Sequence, residues 1–257
     1  MKKEHPNARR DFLRASAIVG AGLILGGCGD GNNKSAGPEK EDEKDENKKG
    51  GEVTATEDLM REHGVLRRAL LIYSETVPKL RSNPSDVVPD ALQKTAKLFR
   101  TFGEDYHEKK LEETYIFPAV KRAGGLAAGL PDILVVQHNR GREITDYIVN
   151  LTNGGKLSGN TEALAKALES FVLMYRNHAA REDTIIFPAW KQTLTAKQLD
   201  EMGDKFEEIE KQQFGTDGYE TAVKQISDIE GSLGLADLSQ FTAPAPPQAS
   251  GPPGGTR

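Results

Sequence analysis

Residues 106–121 read YHEKKLEETYIFPAVK, and residues 177–191 read NHAAREDTIIFPAWK. Each stretch carries a histidine (His107, His178), then a glutamate (Glu112, Glu182), then a Phe-Pro step (Phe117-Pro118, Phe187-Pro188). The body of the chain therefore repeats itself. Each copy follows a helical segment with a single histidine, His63 before the first and His138 before the second. Two such helix pairs, packed about an approximate two-fold, predict a four-helix bundle.

Outward from the repeat, apolar periodicity predicts long amphipathic segments near 55–80, 88–121, 131–152 and 161–192, with shorter helices near 195–213 and 217–231. Pro84, Pro89, Gly124-Gly125, Pro131 and Gly154-Gly155 punctuate the gaps. No run sustains the period-two alternation of a strand. The fold class is all-α: an up-down-up-down bundle with additional short C-terminal helices.

The four histidines fall one per long helix. In the fourth helix Leu164, Leu168, Phe171, Tyr175, His178, Glu182 and Ile185 step by three or four, a continuous buried face. Leu59, His63, Leu66, Leu70 and Tyr73 do the same in the first, and Leu134, His138, Gly141, Thr145 and Ile148 form a weaker stripe in the third. A lone histidine on such a face is most often a hydrogen-bonded core residue. Four at once, with a carboxylate on the same face, point to a metal. A buried Glu182 is costly unless it pairs or binds a cation, and one helical turn separates it from His178. Imidazole with carboxylate and no thiolate suits iron, manganese or zinc.

The order of one histidine, then His plus Glu, repeated once, with Phe-Pro after each Glu, resembles the hemerythrin-like HHE cation-binding family over residues 57–192. The resemblance implies a non-heme diiron centre. His63, His107, His138 and His178 would bind through imidazole, and Glu112 and Glu182 would bridge the two metals. Respiratory hemerythrins have a fifth histidine ligand, which is missing here. Fewer protein ligands leave more positions for water, oxygen or another small molecule and permit redox turnover.

Two positions depart from a regular pattern. His178 lies four residues before Glu182, but His107 lies five before Glu112, which in a regular helix turns the two side chains roughly 140° apart. A π-bulge between them absorbs the extra residue, as the stripe Phe99, Gly103, His107 and then Glu112, Ile116, Ala119 suggests. In the other arrangement Glu108, four before Glu112, takes the ligand position. Asp183 competes with Glu182 in the same way, since respiratory hemerythrins use an aspartate five residues after the histidine; Glu182 lies on the stripe. Tyr106 and Tyr175 read as core, Trp190 as packing for the bundle end, and the Glu- and Lys-rich run 205–213 as a solvated helix face.

The ends of the chain read differently. Residues 8–14 (ARRDFLR) resemble a twin-arginine export signal, with Arg9 and Arg10 as the pair. An apolar run from Ala15 to Leu25, too short to span a bilayer, follows and ends in Leu25-Gly26-Gly27-Cys28, which looks like a lipobox with Cys28 as the lipidated residue. The expected organisation is a signal over 1–28, a charged flexible linker over 29–53, a helical domain over 54–233 and a Pro- and Gly-rich disordered tail over 234–257. Ten of the eleven residues from Glu39 to Lys49 are charged, so that stretch cannot bury a core. The implied location is the cell envelope, on a lipid anchor.

The chain's net charge is −5, of which the first 27 residues contribute five cations against two carboxylates, so the remainder stands at −8. An acidic body without a basic stripe argues against nucleic acid as a partner. Cys28 is the one cysteine, so neither a disulfide within the chain nor a thiolate cluster can form. Three functions share the ligand set: binding or sensing of oxygen, peroxide or nitric oxide; a diiron peroxidase or oxidase; and iron handling. Six ligands enclosing a defined site, with no obvious ion path, favour binding or redox chemistry over storage.

Overall fold

The structure, a computed structural model, describes residues 53–247. Arg9, Arg10, Cys28, the charged stretch 39–49 and the tail beyond 247 lie outside the described residues. Among the described residues the regular structure is entirely helical. Helix α1 is Ala55–Ser82. Helix α2 runs without a break through Pro89–Leu98, a π-helical stretch Phe99–Ile116, and Phe117–Ala123. Helix α3 is Pro131–Leu151, and α4 runs through Thr161–Arg181, a π-turn Glu182–Ile186, and Phe187–Gln192. Helices α5 (Ala196–Phe214) and α6 (Gly218–Leu233) complete the set, and Leu238–Phe241 form a 3₁₀ turn. No helix among the described residues is long and apolar enough to cross a membrane.

Local chemistry sets the boundaries. Thr54 caps α1 in a reciprocal box with Glu57, and Thr195 caps α5 with Gln198. Asn160 and Asp217 accept from the first turns of α4 and α6. Pro89 and Pro131 open α2 and α3, where a missing N–H costs nothing. Gly215 and Gly234 close α5 and α6 in the left-handed conformation.

The connections between α1, α2, α3 and α4 are short, so neighbouring helices run antiparallel. α1 packs most extensively on α4, while α2 packs on α1 and α3, and α3 on α4. Helices α5 and α6 lie over α1 and α2, and Arg68 of α1 donates twice to Glu230 of α6, at 2.9 and 2.5 Å. Away from the histidines the bundle is filled by Phe171, whose ring meets Tyr73, Phe99 and Tyr175 at 5.4, 4.9 and 4.5 Å. Truncating so buried a ring costs about 3–5 kcal/mol.

The two π-stretches end alike. Each is followed by a Phe-Pro step, and Pro118 and Pro188 lack an N–H and crowd the carbonyl four residues earlier, so the turn before each cannot keep all its regular bonds. In both copies the N–H of the phenylalanine before the proline reaches back five residues, Phe117 to the Glu112 carbonyl and Phe187 to that of Glu182. In α4 this moves the buried stripe by one residue: Ile186 is buried and Ile185, expected on the stripe, is exposed. The run 205–213 is a solvated face only in part, because Glu207 and Glu210 turn inward and Glu210 accepts the Tyr219 N–H at 2.6 Å. Trp190 stacks on Phe206 of α5 at 5.7 Å and so ties the bundle to that helix.

Candidate metal centre

The bundle brings His63, His107, His138 and His178 to one level of its axis, all buried. They meet in pairs through their inner nitrogens: His63 and His107 with Nε2 atoms 3.1 Å apart, His138 and His178 with theirs 3.0 Å apart. Glu112 and Glu182 span the two pairs. Glu112 places Oε1 3.3 Å from His107 Nε2 and Oε2 3.4 Å from His138 Nε2. Glu182 places Oε2 3.4 Å from His63 Nε2 and Oε1 2.9 Å from His178 Nε2. Each glutamate therefore offers one oxygen to each histidine pair. Glu112, His138, His178 and Glu182 form one set of donor atoms within 4.8 Å of one another, and His63, His107 and Glu112 form another.

All four carboxylate oxygens are buried and none receives a hydrogen bond. Even the 2.9 Å approach of His178 to Glu182 does not run along an N–H. Buried polar atoms without partners are rare in folded proteins and costly. Four of them, converging with four imidazole nitrogens, fit a metal cation site with oxygen and nitrogen donors.

Each imidazole is fixed from outside by a residue that accepts its Nδ1–H. Asp183 accepts from His63 at 2.7 Å, Glu62 from His107 at 2.6 Å, Glu113 from His138 at 2.8 Å, and the Gln137 amide oxygen from His178 at 2.9 Å. Such partners set the tautomer and aim Nε2 inward. Phe187 and Phe117, from the two Phe-Pro steps, stack on His63 and His138 at 5.4 and 5.5 Å. Of these outer partners the sequence reading named only Asp183, and that as a competing ligand; yet each adjoins one of the six converging residues: Glu62 precedes His63, Gln137 precedes His138, and Glu113 and Asp183 follow Glu112 and Glu182.

The π-helical path of α2 places both His107 and Glu112 inside, five residues apart. Glu108 accepts from the Tyr175 hydroxyl at 2.8 Å and from Arg142 at 3.2 Å, and lies 3.9 Å from the outer nitrogen of His138. Glu108, Glu113 and His138 also bring donor atoms together, but the Arg142 guanidinium already joins those two carboxylates. Asp183 faces His63 Nδ1 and pairs with Arg67. Tyr106 donates to Glu62 at 3.2 Å, so both tyrosines read as core support groups next to the histidines.

Electrostatics follow from burial. Burial pushes the His107 imidazole down, but Glu112 and Glu62 outweigh it and hold it well above its ordinary value. His138, against the same burial, is pushed up to about 9 by Glu108, Glu113 and Glu112. Burial and the facing charge of Glu182 raise Glu112. Burial also opposes ionisation of Glu182, but His178 and His63 overcome it and hold that carboxyl below its usual range. His107, His138 and Glu112 thus hold protons tightly while Glu182 stays ionised, and a cation between these groups competes with those protons. A small cavity of about 10 Å³, room for one water-sized molecule, adjoins the cluster, bounded by Tyr175 and by Leu66, Leu70 and Ala179.

Residues 54–190 match the Hemerythrin HHE cation binding domain. Uncharacterized proteins of Mycobacterium bovis and Mycobacterium tuberculosis are 39% identical to the chain over 246 residues, 94% of this chain and 94% of theirs. No solved structure matches the chain. With more than half its length matched and a buried His/Glu cluster at the expected place, the chain belongs to the hemerythrin HHE cation-binding family.

Proposed function

We propose that the protein holds two non-heme iron ions in this cluster and uses them to bind or react with oxygen, or with a related small molecule such as peroxide or nitric oxide, at the cell envelope. The observation that carries this reading is the set of four buried, unbonded oxygens of Glu112 and Glu182 lying between two pairs of inward-facing histidine nitrogens. When bound, an iron pair supplies Lewis acidity and one-electron redox chemistry. His63 and His107 would hold one ion and His138 and His178 the other, with Glu112 and Glu182 bridging. The outer hydrogen bonds keep every Nδ1 protonated, which leaves each Nε2 free to bind.

Size supports a small ligand. The cavity admits about one water-sized molecule, with Leu66, Leu70 and Ala179 on its apolar side and Arg67 also in its lining. Tyr175 holds its hydroxyl proton on Glu108 at the edge of that space. Burial, with Glu108 beside it, raises this phenol well above its ordinary value, so the proton stays in place at neutral pH. The envelope location rests on the resemblance of residues 8–28 to a twin-arginine lipoprotein signal, with Cys28 as the lipid attachment point.

Iron per chain, measured on the full-length protein together with its ultraviolet–visible spectrum in air, tests the centre. About two irons with oxo-bridged charge-transfer bands support it. A reversible spectral change with oxygen supports ligand binding, whereas turnover of hydrogen peroxide moves the reading to a peroxidase. Cys28→Ser shifts the protein from the membrane to the soluble fraction if the anchor is read correctly.

A further inference from the structure

The two halves of the cluster are related by an approximate two-fold that exchanges α1 with α3 and α2 with α4. Asp183 and Glu113 exchange under it. Each accepts from the histidine of α1 or α3 and pairs with the arginine four residues beyond that histidine, Arg67 or Arg142. Glu62 and Gln137 exchange as well. Each precedes the histidine of its own helix and accepts the Nδ1–H of the histidine on the next. Here the symmetry fails chemically. Glu62 is a fully buried carboxylate 2.6 Å from His107, whereas Gln137 is a half-buried neutral amide 2.9 Å from His178.

Charge through space does not distinguish the halves in the same way. Glu62 adds a carboxylate to one half, and Glu108 adds one to the other, 3.9 Å from His138 Nδ1. Glu108 spends its hydrogen bonds on Tyr175 and Arg142, and makes none to an imidazole. The difference therefore lies in the bonds on the imidazoles: three end on carboxylates and the bond of His178 ends on an amide. A carboxylate that accepts Nδ1–H makes Nε2 a stronger electron donor to a metal than a neutral acceptor does.

Resting on the diiron reading above, we propose that the Glu62/Gln137 difference makes the two metal positions unequal, so that iron held by His63 and His107 is oxidised before iron held by His138 and His178. In that step one electron passes from a ferrous ion to an outer-sphere one-electron oxidant such as ferricyanide. No bond to the protein forms or breaks, and the proton stays on His107 Nδ1. Gln137 acts through His178 and is a positioning residue.

A mediated redox titration of the iron-loaded full-length protein tests this. The wild type shows two separate one-electron steps. Gln137→Glu lowers the upper potential and Glu62→Gln raises the lower one, so each isosteric variant narrows the gap from its own side. A roughly tenfold change in ferric over ferrous preference, the lower end of what such outer partners contribute, corresponds to about 59 mV. Two irons retained with both potentials unmoved in Gln137→Glu overturns the proposal. So does a gap that closes in Glu108→Gln and not in Gln137→Glu, which would assign the asymmetry to charge through space. Should one variant lose its iron, the other decides alone. Fewer than two irons in the wild type sinks the diiron reading itself, and the iron count tells that failure apart.

Discussion

His107 Nε2 lies 3.3 Å from Glu112 Oε1 although five residues separate them along one helix. A regular helix would turn them to different faces. The π-helical path of Phe99–Ile116, which ends just before Phe117-Pro118, returns both to the bundle interior. The same device recurs at Pro188, where the π-turn begins at Glu182 itself. Glu112 and Glu182 therefore both lie on π-wound turns, and the Phe-Pro steps that follow supply the rings stacked on His63 and His138.

This geometry aims His107 at His63 and Glu112 and turns Glu108 toward Tyr175 and Arg142. We predict that His107→Ala loses at least one of two metal ions per chain, while Glu108→Gln, which keeps acceptors for Tyr175 and Arg142, retains both. Metal analysis of the two purified variants checks this. Loss of metal from Glu108→Gln with full retention in His107→Ala would reverse the assignment.

Glu112→Gln separates metal binding from folding. The Glu112 oxygens receive no hydrogen bonds, and burial with the facing Glu182 disfavours their charge, so glutamine gives up no hydrogen bond that the fold depends on. Metal affinity is expected to fall by more than the roughly 10–100-fold typical of an outer partner. Thermal unfolding in chelator is expected to show no loss of stability. A large drop in chelator would make Glu112 a structural residue first.

Glu104, four residues before Glu108 on α2, gives a pH dependence of its own. It is fully buried, accepts from Thr145 at 2.6 Å, and is pushed up to about 8 by burial, more than Arg100 and Arg142 pull it down. Arg100 Nη1 lies 2.9 Å from Oε2 without directing an N–H at it. Unfolding releases this proton at any pH between the ordinary 4.5 and about 8, so stability falls as pH rises through that window and levels off above it. Glu104→Gln should therefore match the wild type near pH 4.5 and melt higher at pH 8.5. Each 1 kcal/mol is worth about 2–4 °C for a domain of this size. Equal melting points at pH 8.5 would show that Arg100 keeps the carboxylate comfortably ionised.

Gly141 tests the Tyr175–Glu108 contact. A Cβ at Gly141 would stand 2.0 Å from the Tyr175 hydroxyl. Alanine in a helix interior ordinarily stabilises by about 0.5–1 kcal/mol over glycine. Here Gly141→Ala is expected to destabilise by about 1–3 kcal/mol, the range for an overfilled core, measured by denaturant unfolding. Neutral or improved stability would mean that Tyr175 relocates freely.

Much of the fold was legible because periodicity and punctuation agree. Pro89, Pro131, the Gly124-Gly125 pair and the stripes through Leu59–Tyr73 and Leu134–Ile148 define α1 to α3 to within a few residues. The repeat around Phe-Pro brought out the six inward-facing residues. The extent of the π-helix was not legible, since one extra residue signals a bulge and not eighteen residues of altered winding. The π-turn of α4 left no trace in the His–Glu spacing, because His178 precedes it and Glu182 is only its first residue. The outer partners were hidden for a different reason. Glu62 is adjacent to His63 in sequence but serves His107 on another helix, a relation that only packing creates.

The most direct measurement is the number of metal ions per folded chain, by elemental analysis of the full-length protein after iron loading and removal of loose metal. Two per chain, falling when Glu112 or Glu182 is changed to glutamine, is the predicted result. A chain with the same helical circular dichroism that retains no iron, manganese or zinc would contradict it and reduce the four histidines and two glutamates to buried structural groups.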